Sequence, residues 1–568
     1  MIPLIDLFAG PGGLCEGFSN ALGGKHPFYP VLSIEKDETA HQTLLLRAFA
    51  HYFMLKGEDL PQEYYQYVTG IISRQQMFKA WPKAKRYAES VAWCATLGGP
   101  EVSEDEFDRR IRKALKGTPD WVLIGGPPCQ AYSLAGRSRS IGKLKKTGQL
   151  TFVQAQFEFG NDERQTLYKQ YLRILAVHRP AVFVMENVVG ILSAKVNGER
   201  IFPKILDDLS CPVRAAMEDW PCLRGPAGLR YRIFSFVTGQ IPEVGADGDF
   251  LIRAERYGIP QARHRVILLG LRDDFASGLE TVPTLQPSQA RTVREVLADL
   301  PKMRSHISRG AVDGDNEWRQ LLFDYARSGT FADPRHQELL ARLLEAEGVR
   351  EKWSKQPMDG GAVHGISLLG DLQPWISDPN LNCVLNHAPR SHMASDLKRY
   401  LFVAAYGLVH NHSPVLAAFP PDLLPAHGNV LQGGAKGTQA FADRFKVQLP
   451  DRPSSTVTCH IAKDGHYFIH YDLSQCRSLT VREAARLQTF PDNYYFEGNQ
   501  TEQYGQVGNA VPPLLAHQLA GIVWQLFQTN KKEKRHAQMK MTGKKEDTDD
   551  KHLNHMNNAE KFERMEEL

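Results

Sequence analysis

Cys129 closes the run Gly125-Gly126-Pro127-Pro128-Cys129. A thiol held on a stiff loop is a candidate nucleophile, because covalent catalysis needs a positioned sulfur. Two glycines allow a sharp turn, and two prolines stiffen the chain just ahead of the thiol. A packed core thiol is the plain alternative, yet packing does not require two prolines before it. Glu186, after the apolar residues 181 to 185, is a candidate proton carrier: an unpaired carboxylate at such a strand end has a raised pKa. The alternative is a capping or ion-paired acid. Arg263 and Arg265, two apart beside the strand expected at 266 to 269, are expected to share a side and to clamp a carboxylate or phosphate. Surface ion pairing is the competing reading. Glu35, at the tip of a second strand, is placed to accept hydrogen bonds from ribose hydroxyls, or is a solvated loop charge.

The elements that must position these groups read as an α/β sheet. Residues 121 to 124 and 181 to 185 are apolar without alternation, as in strands buried on both faces of a parallel sheet. Both chemical groups then leave at the carboxyl edge, where ligands bind in open α/β sheets. Residues 2 to 8 form a first strand, 9 to 13 a glycine-rich turn and 14 to 22 a helix. The turn departs from Gly-x-Gly-x-x-Gly, and it lacks a P-loop lysine. Residues 40 to 117 read as mainly helical packing. After Ser133 comes a basic stretch with Arg137, Arg139, Lys143, Lys145 and Lys146, read as a mobile lid whose cations meet phosphates, against a merely solvated loop.

At 568 residues the chain is too long for one core, so at least two domains are expected. Its 42% hydrophobic and 23% charged residues are ordinary for a globular protein. No apolar run approaches the roughly 18 residues that span a bilayer, and the start lacks a signal-peptide pattern, so no membrane partner and a cytoplasmic location are expected. The eight cysteines form no Cys-x-x-Cys pair, and no metal is expected. Asn386-His387-x-x-Arg390-x-His392 is read as polar contacts to DNA or to the domain itself, not as a metal site, and Cys459-His460 as structural. A net charge of +4 permits a nucleic-acid partner without demanding one.

Taken together, six stretches resemble the cytosine-5-specific DNA methyltransferases of bacterial restriction-modification or phage-defence type. Residues 6 to 13 resemble the family's cofactor loop. Gly126-Pro127-Pro128-Cys129-Gln130 resembles its nucleophile loop, and Glu186-Asn187-Val188 and Gln261-x-Arg263-x-Arg265 resemble two further catalytic motifs. Residues 452 to 458 and 508 to 513 match the last two, and 479 to 491 also read as family sequence. Two departures stand out. The acid that meets the adenine ring is not recognisable after the third strand, and insertions occupy roughly 40 to 117 and 137 to 163.

The resemblance implies a Rossmann-like, S-adenosylmethionine-dependent methyltransferase sheet with an inserted target-recognition domain. The expected division is 1 to 272 catalytic, 273 to 445 target recognition, 446 to 528 catalytic again, and 529 to 568 a charged tail, disordered or loosely helical. Implied catalytic residues are Cys129, Glu186, Asn187, Arg263 and Arg265. Implied cofactor residues are Asp6, Phe8, Ala9, Gly10, Pro11, Gly12, Gly13, Glu35, Lys36, Pro127, Asn509, Ala510 and Val511. Expected DNA contacts are Gln130, Ser133, Arg137, Arg139, Lys143, Gln261, Gln432, Gly433, Gly434 and Lys436, with Arg291, Arg294, Lys302, Arg304, Arg309, Arg390, Lys398 and Arg399 as further phosphate cations. The implied reaction moves a methyl group to carbon-5 of a cytosine flipped out of double-stranded DNA, releasing S-adenosylhomocysteine. A monomer on DNA, nucleoid-associated and serving host self-marking beside other defence proteins, is the expected setting. An RNA (tRNA) cytosine-5 methyltransferase and a catalytically inactive DNA-binding relative remain the alternatives.

Overall fold

A computed structural model describes residues 1–20, 22, 25–127, 163–196, 198–223, 228–308, 312–328, 333–345, 368–425 and 443–542. They form two compact units. The first comprises residues 1–257, 264–288 and the chain from 510 onward; the second comprises 258–263 and 289–509. The domain boundary expected at 445 therefore does not coincide with this division: residues 446–509 cluster with 289–425.

The first unit is built on one eight-stranded sheet. Its strands are β1 (Ile2–Leu7), β2 (Phe28–Glu35), β3 (Ala92–Cys94), β4 (Val122–Gly125), β5 (Val182–Val188), β6 (Tyr231–Ser235), β7 (Leu251–Arg253) and β8 (His264–Arg272). The order is β3-β2-β1-β4-β5-β8-β6, with β7 also on β8. Strands β1 to β5 run parallel, and β8 is antiparallel to β5, β6 and β7. The order reverses between β1 and β4. Such a switch point opens a crevice at the carboxyl ends of the two strands. This is the Rossmann-like α/β sheet expected from the unbroken apolar runs. Val122, Leu123, Ile124, Val182, Phe183 and Val184 are all fully buried, as a sheet covered on both faces requires.

Register brings the chemistry to one edge. Leu7 lies beside both Ile34 and Gly125, and Gly125 lies beside Met185. The next residue along each strand, Phe8, Glu35, Gly126 and Glu186, therefore reaches a neighbouring point of the same edge. Glu186 and Asn187 sit within β5, opposite Ile267 and Val266.

The helix Gly13–Ser19 packs closely on the last helix, Pro513–Thr542. A Cβ on Gly13 would meet the Val511 carbonyl oxygen at 2.3 Å, and one on Gly17 the Pro513 carbonyl oxygen at 2.3 Å. Two glycines one turn apart let the backbones touch. The final helix continues to Thr542, into the charged tail expected from residue 529, and 543–568 lie outside the described residues. The segment Gln500–Lys534 holds an 18-residue window apolar enough to cross a bilayer, with 61% of that window buried. Leu515, Leu519 and Val523 are within the core, so a core helix accounts for it.

The second unit has its own core, centred on Trp318, Leu322, Tyr400, Leu401, Val403 and Ile469. Three buried arginines tie it together. Arg477 grips Glu483 through both terminal nitrogens, at 2.7 Å each, Arg482 donates to the carbonyls of Leu385, Pro491 and Tyr494, and Arg486 holds Asp492 and Asp299. The polar knot at 386 to 392 belongs to this scaffold. His387 bonds Thr480 and the Pro301 carbonyl, His392 meets Ser478, and Arg390 lies over the Tyr504 ring.

Candidate active site

The glycine-rich turn after β1 is a tight, partly strained loop. Phe8 has φ 57°, a left-handed value that costs a bulky residue strain and clusters at functional sites. The Ala9 amide donates to the Ile34 carbonyl, and the Gly12 amide to the Ala9 carbonyl. Gly10 shares φ 57°, and among the described residues beyond its chain neighbours no heavy atom lies within 4 Å of where its Cβ would be. Among the described residues, the space beside Gly10 is open.

Glu35 faces that turn. Its carboxylate accepts the Gly10 amide at 2.8 Å and the amides of Lys36 and Asp37 at 2.9 Å each. A carboxylate offers about four lone-pair directions, so one is left for a ribose hydroxyl. A fixed acid beside an open glycine turn fits an adenosyl group. Lys36 contributes its backbone amide, while its side chain is exposed. Pro11, Gly12, Gly13, Ala510 and Val511 are buried and form the wall behind the turn; Pro127 is buried at the end of β4.

Asp6 requires a correction. It is only 1% exposed and lies within β1, ahead of the turn, so its side chain does not face the open space beside Gly10. Burial, with the charge of Glu35 second, pushes its carboxyl well above the usual range.

For Glu186 the ion-paired alternative holds. Glu186 is not unpaired: Arg265 Nε stands 2.7 Å from its Oε1, and both side chains are 15% exposed. The antiparallel register of β5 and β8 explains this, since it sets Arg265 opposite Val188, two residues along from Glu186. Glu186 Oε2 leans over Gly126, where a Cβ would come within 2.8 Å. The acid thus bears on the backbone three residues ahead of Cys129. Asn187 is buried, and its side-chain oxygen accepts the Val188 amide at 2.8 Å, which shapes the strand end.

Two motif residues serve the scaffold instead of the expected contacts. Arg263 is 2% exposed and donates to the carbonyls of Val457 and Gly508 inside the second unit. It precedes β8, so it does not share a strand face with Arg265 as expected. Gln261 is fully buried, donating to the Leu487 carbonyl and the Gln488 side chain and accepting the Val457 amide. A side chain spent on these partners does not read bases. Asn509 ends the helix Gln500–Asn509 in the second unit with its side chain exposed.

Several expected phosphate cations are likewise engaged. Arg291 pairs with Asp371, Arg294 with Asp451, Lys302 with Asp472, Arg304 with Asp313 and Asp315, and Arg399 with Asp396. Lys398 lies over the Tyr325 ring. Cys129, Gln130, Ser133, Arg137, Arg139, Lys143, Lys145, Lys146, Arg309, Gln432, Gly433, Gly434 and Lys436 lie outside the described residues.

The family model for C-5 cytosine-specific DNA methylases matches residues 98–211 and 250–525, more than half of the chain. The chain belongs to that family. The methylase is 30% identical over 540 residues to a type II methyltransferase of Bacillus paralicheniformis, covering 92% of this chain and 98% of that protein. It is 28% identical to a DNA (cytosine-5-)-methyltransferase of Aeropyrum pernix over 72% of this chain and 81% of the relative. With a type II methyltransferase of Thalassovita gelatinovora it shares 27% identity over 72% and 85%. The methylase is an S-adenosylmethionine-dependent DNA (cytosine-5-)-methyltransferase by these relations. What sequence reasoning missed is the Glu186–Arg265 pair. Its signal was the adjacency of two apolar strands, but not their register.

Proposed function

We propose that the chain methylates carbon-5 of a cytosine flipped out of duplex DNA, through a transient bond from Cys129 to carbon-6. The observation that carries this reading is the Arg265-held carboxyl of Glu186 on the backbone of Gly126, in a chain of this family. Cytosine is a poor nucleophile at carbon-5. Addition of the Cys129 thiolate to carbon-6 sends an electron pair towards ring nitrogen 3 and makes carbon-5 enamine-like. Glu186 provides the hydrogen bond or proton that nitrogen 3 then needs. Arg265 fixes that carboxyl and turns its remaining donors towards the base carbonyl. S-adenosylmethionine, when bound at the turn beside Glu35, supplies an electrophilic methyl group as its sulfonium. Carbon-5 takes the methyl; loss of its proton restores the ring double bond and expels Cys129. The base must leave the stack for this, at a cost of a few kcal/mol. The second unit reads the target sequence. The type II naming of the relatives supports a role in self-marking of host DNA.

Transfer of labelled methyl from S-adenosylmethionine is to be measured on duplex DNA and on RNA, with Cys129→Ser as control. Incorporation into DNA that disappears in the serine variant is expected. Incorporation into RNA only, or undiminished transfer by Cys129→Ser, overturns the proposal.

A further inference from the structure

Within the second unit, two helices bring three metal-ligating side chains together. Asp333 precedes the helix Pro334–Glu345; its Oδ1 accepts the Arg335 amide at 2.9 Å, and its carbonyl accepts the His336 amide at 3.0 Å. His336 lies on the first turn and is 4% exposed. His410 is the last residue of the helix Ala394–His410. Asp333 Oδ2 stands 3.5 Å from His410 Nε2. One atom from each of Asp333, His336 and His410 lies within 4.8 Å of the other two. The imidazoles are held by aromatic neighbours: the Tyr406 ring lies 4.1 Å from that of His410 and 5.6 Å from that of His336, and Phe402 flanks His336 at 6.3 Å.

We infer that Asp333, His336 and His410 bind a divalent transition-metal ion of the zinc type. Two imidazoles and a carboxylate are a donor set zinc takes readily, at about 2.0 to 2.2 Å from each atom. Tetrahedral ligand atoms at that radius stand about 3.3 Å apart. The Asp333–His410 separation of 3.5 Å already matches one edge, and the widest separation, within 4.8 Å, must shorten on binding. Three protein ligands leave a fourth position for water. Arg335 contacts the same carboxylate, Nε to Oδ1 at 3.1 Å and Nη2 to Oδ2 at 2.7 Å. It shares the Asp333 oxygens with the ion and competes with it, so the expected affinity is moderate. The bound ion ties the start of one helix to the end of the other.

The full chain, stripped by chelator and dialysed, is titrated with zinc chloride by calorimetry, and with cobalt(II) followed by its visible absorption. One saturable equivalent is expected. His410→Ala, His336→Asn and Asp333→Asn are each expected to weaken it at least about tenfold. Asp333→Asn keeps a good helix cap, and His410 is partly exposed, so these two variants retain the fold, as circular dichroism checks. His306→Ala, which removes another histidine of this unit paired with Asp313, is expected to bind as the parent does. Absence of saturable binding, or equal loss in His306→Ala, overturns the inference.

Discussion

Arg263 and Arg265 stand two residues apart in one motif and meet different fates. Arg265 ends at a partly exposed carboxylate, whereas Arg263 is sunk among carbonyl oxygens. Replacing Arg265 with alanine is expected to lower methyl transfer by about 10²- to 10³-fold, the usual worth of a preorganised charge at a site, with little change in melting temperature. Replacing Arg263 is expected to do the reverse at first order: buried carbonyls lose their donor, stability falls by about 2 to 4 kcal/mol, and the melting temperature shows it. Single-turnover transfer and thermal unfolding, measured on both variants, separate the two roles. Asp6 gives a third case. Burial raises its pKa, so its contribution to stability is present below the unfolded carboxyl value and lost as pH rises towards the folded one. Asp6→Asn, neutral and of the same shape, is therefore expected to flatten the decline of stability as pH rises above the ordinary carboxyl range, as melting curves across pH report.

At the level of elements, the decisive contacts are backbone on backbone. The helix Gly13–Ser19 meets the last helix through glycines, and alanine at position 17 would sit 2.3 Å from the Pro513 carbonyl oxygen and 2.5 Å from the His517 amide nitrogen. Helix propensity favours that alanine by about 1 kcal/mol. Overpacking against backbone that cannot move aside costs about 1 to 3 kcal/mol, so the clash wins. Gly17→Ala is expected to lower the urea midpoint and, by shifting the turn ahead of the helix, to weaken S-adenosylmethionine binding. A midpoint equal to or above the parent's would contradict this. The buried strands were legible because a strand covered on both faces must be apolar throughout, as residues 121 to 124 and 181 to 185 are. β3, only three residues long, was hidden within a helical stretch. Glu186 was read as leaving its strand, but the antiparallel partner β8 extends β5 to Val188 and so supplies the acid with an arginine.

Across the whole molecule, the pH response is set by histidines that fold as neutral groups. Burial pushes His387 and His470 down to about 4 and His392 to about 3. Their folded values lie below the ordinary histidine value near 6.5, so the unfolded chain binds more protons between the two. Stability is therefore complete above about pH 6.5 and falls as pH drops towards 4, by up to about 2 kcal/mol per histidine at pH 5. Calorimetry of the chain at pH 7.5 and pH 5 is expected to show the lower melting temperature at pH 5, with a smaller difference in His387→Asn. An unchanged melting temperature would show that these imidazoles accept protons without cost. All three histidines belong to the second unit, whose interior is polar and arginine-tied.

Residue order alone determined the sheet class, the glycine turn with its acid and the family, because these rest on local patterns: apolar runs, glycine placement, and short motifs. Which arginine reaches Glu186, that Gln261 is a scaffold residue, and that Asp333, His336 and His410 converge were decided only by tertiary structure. Each depends on strand register or helix packing between residues up to 227 positions apart, and nothing in a linear pattern encodes which buried partner claims a side chain first.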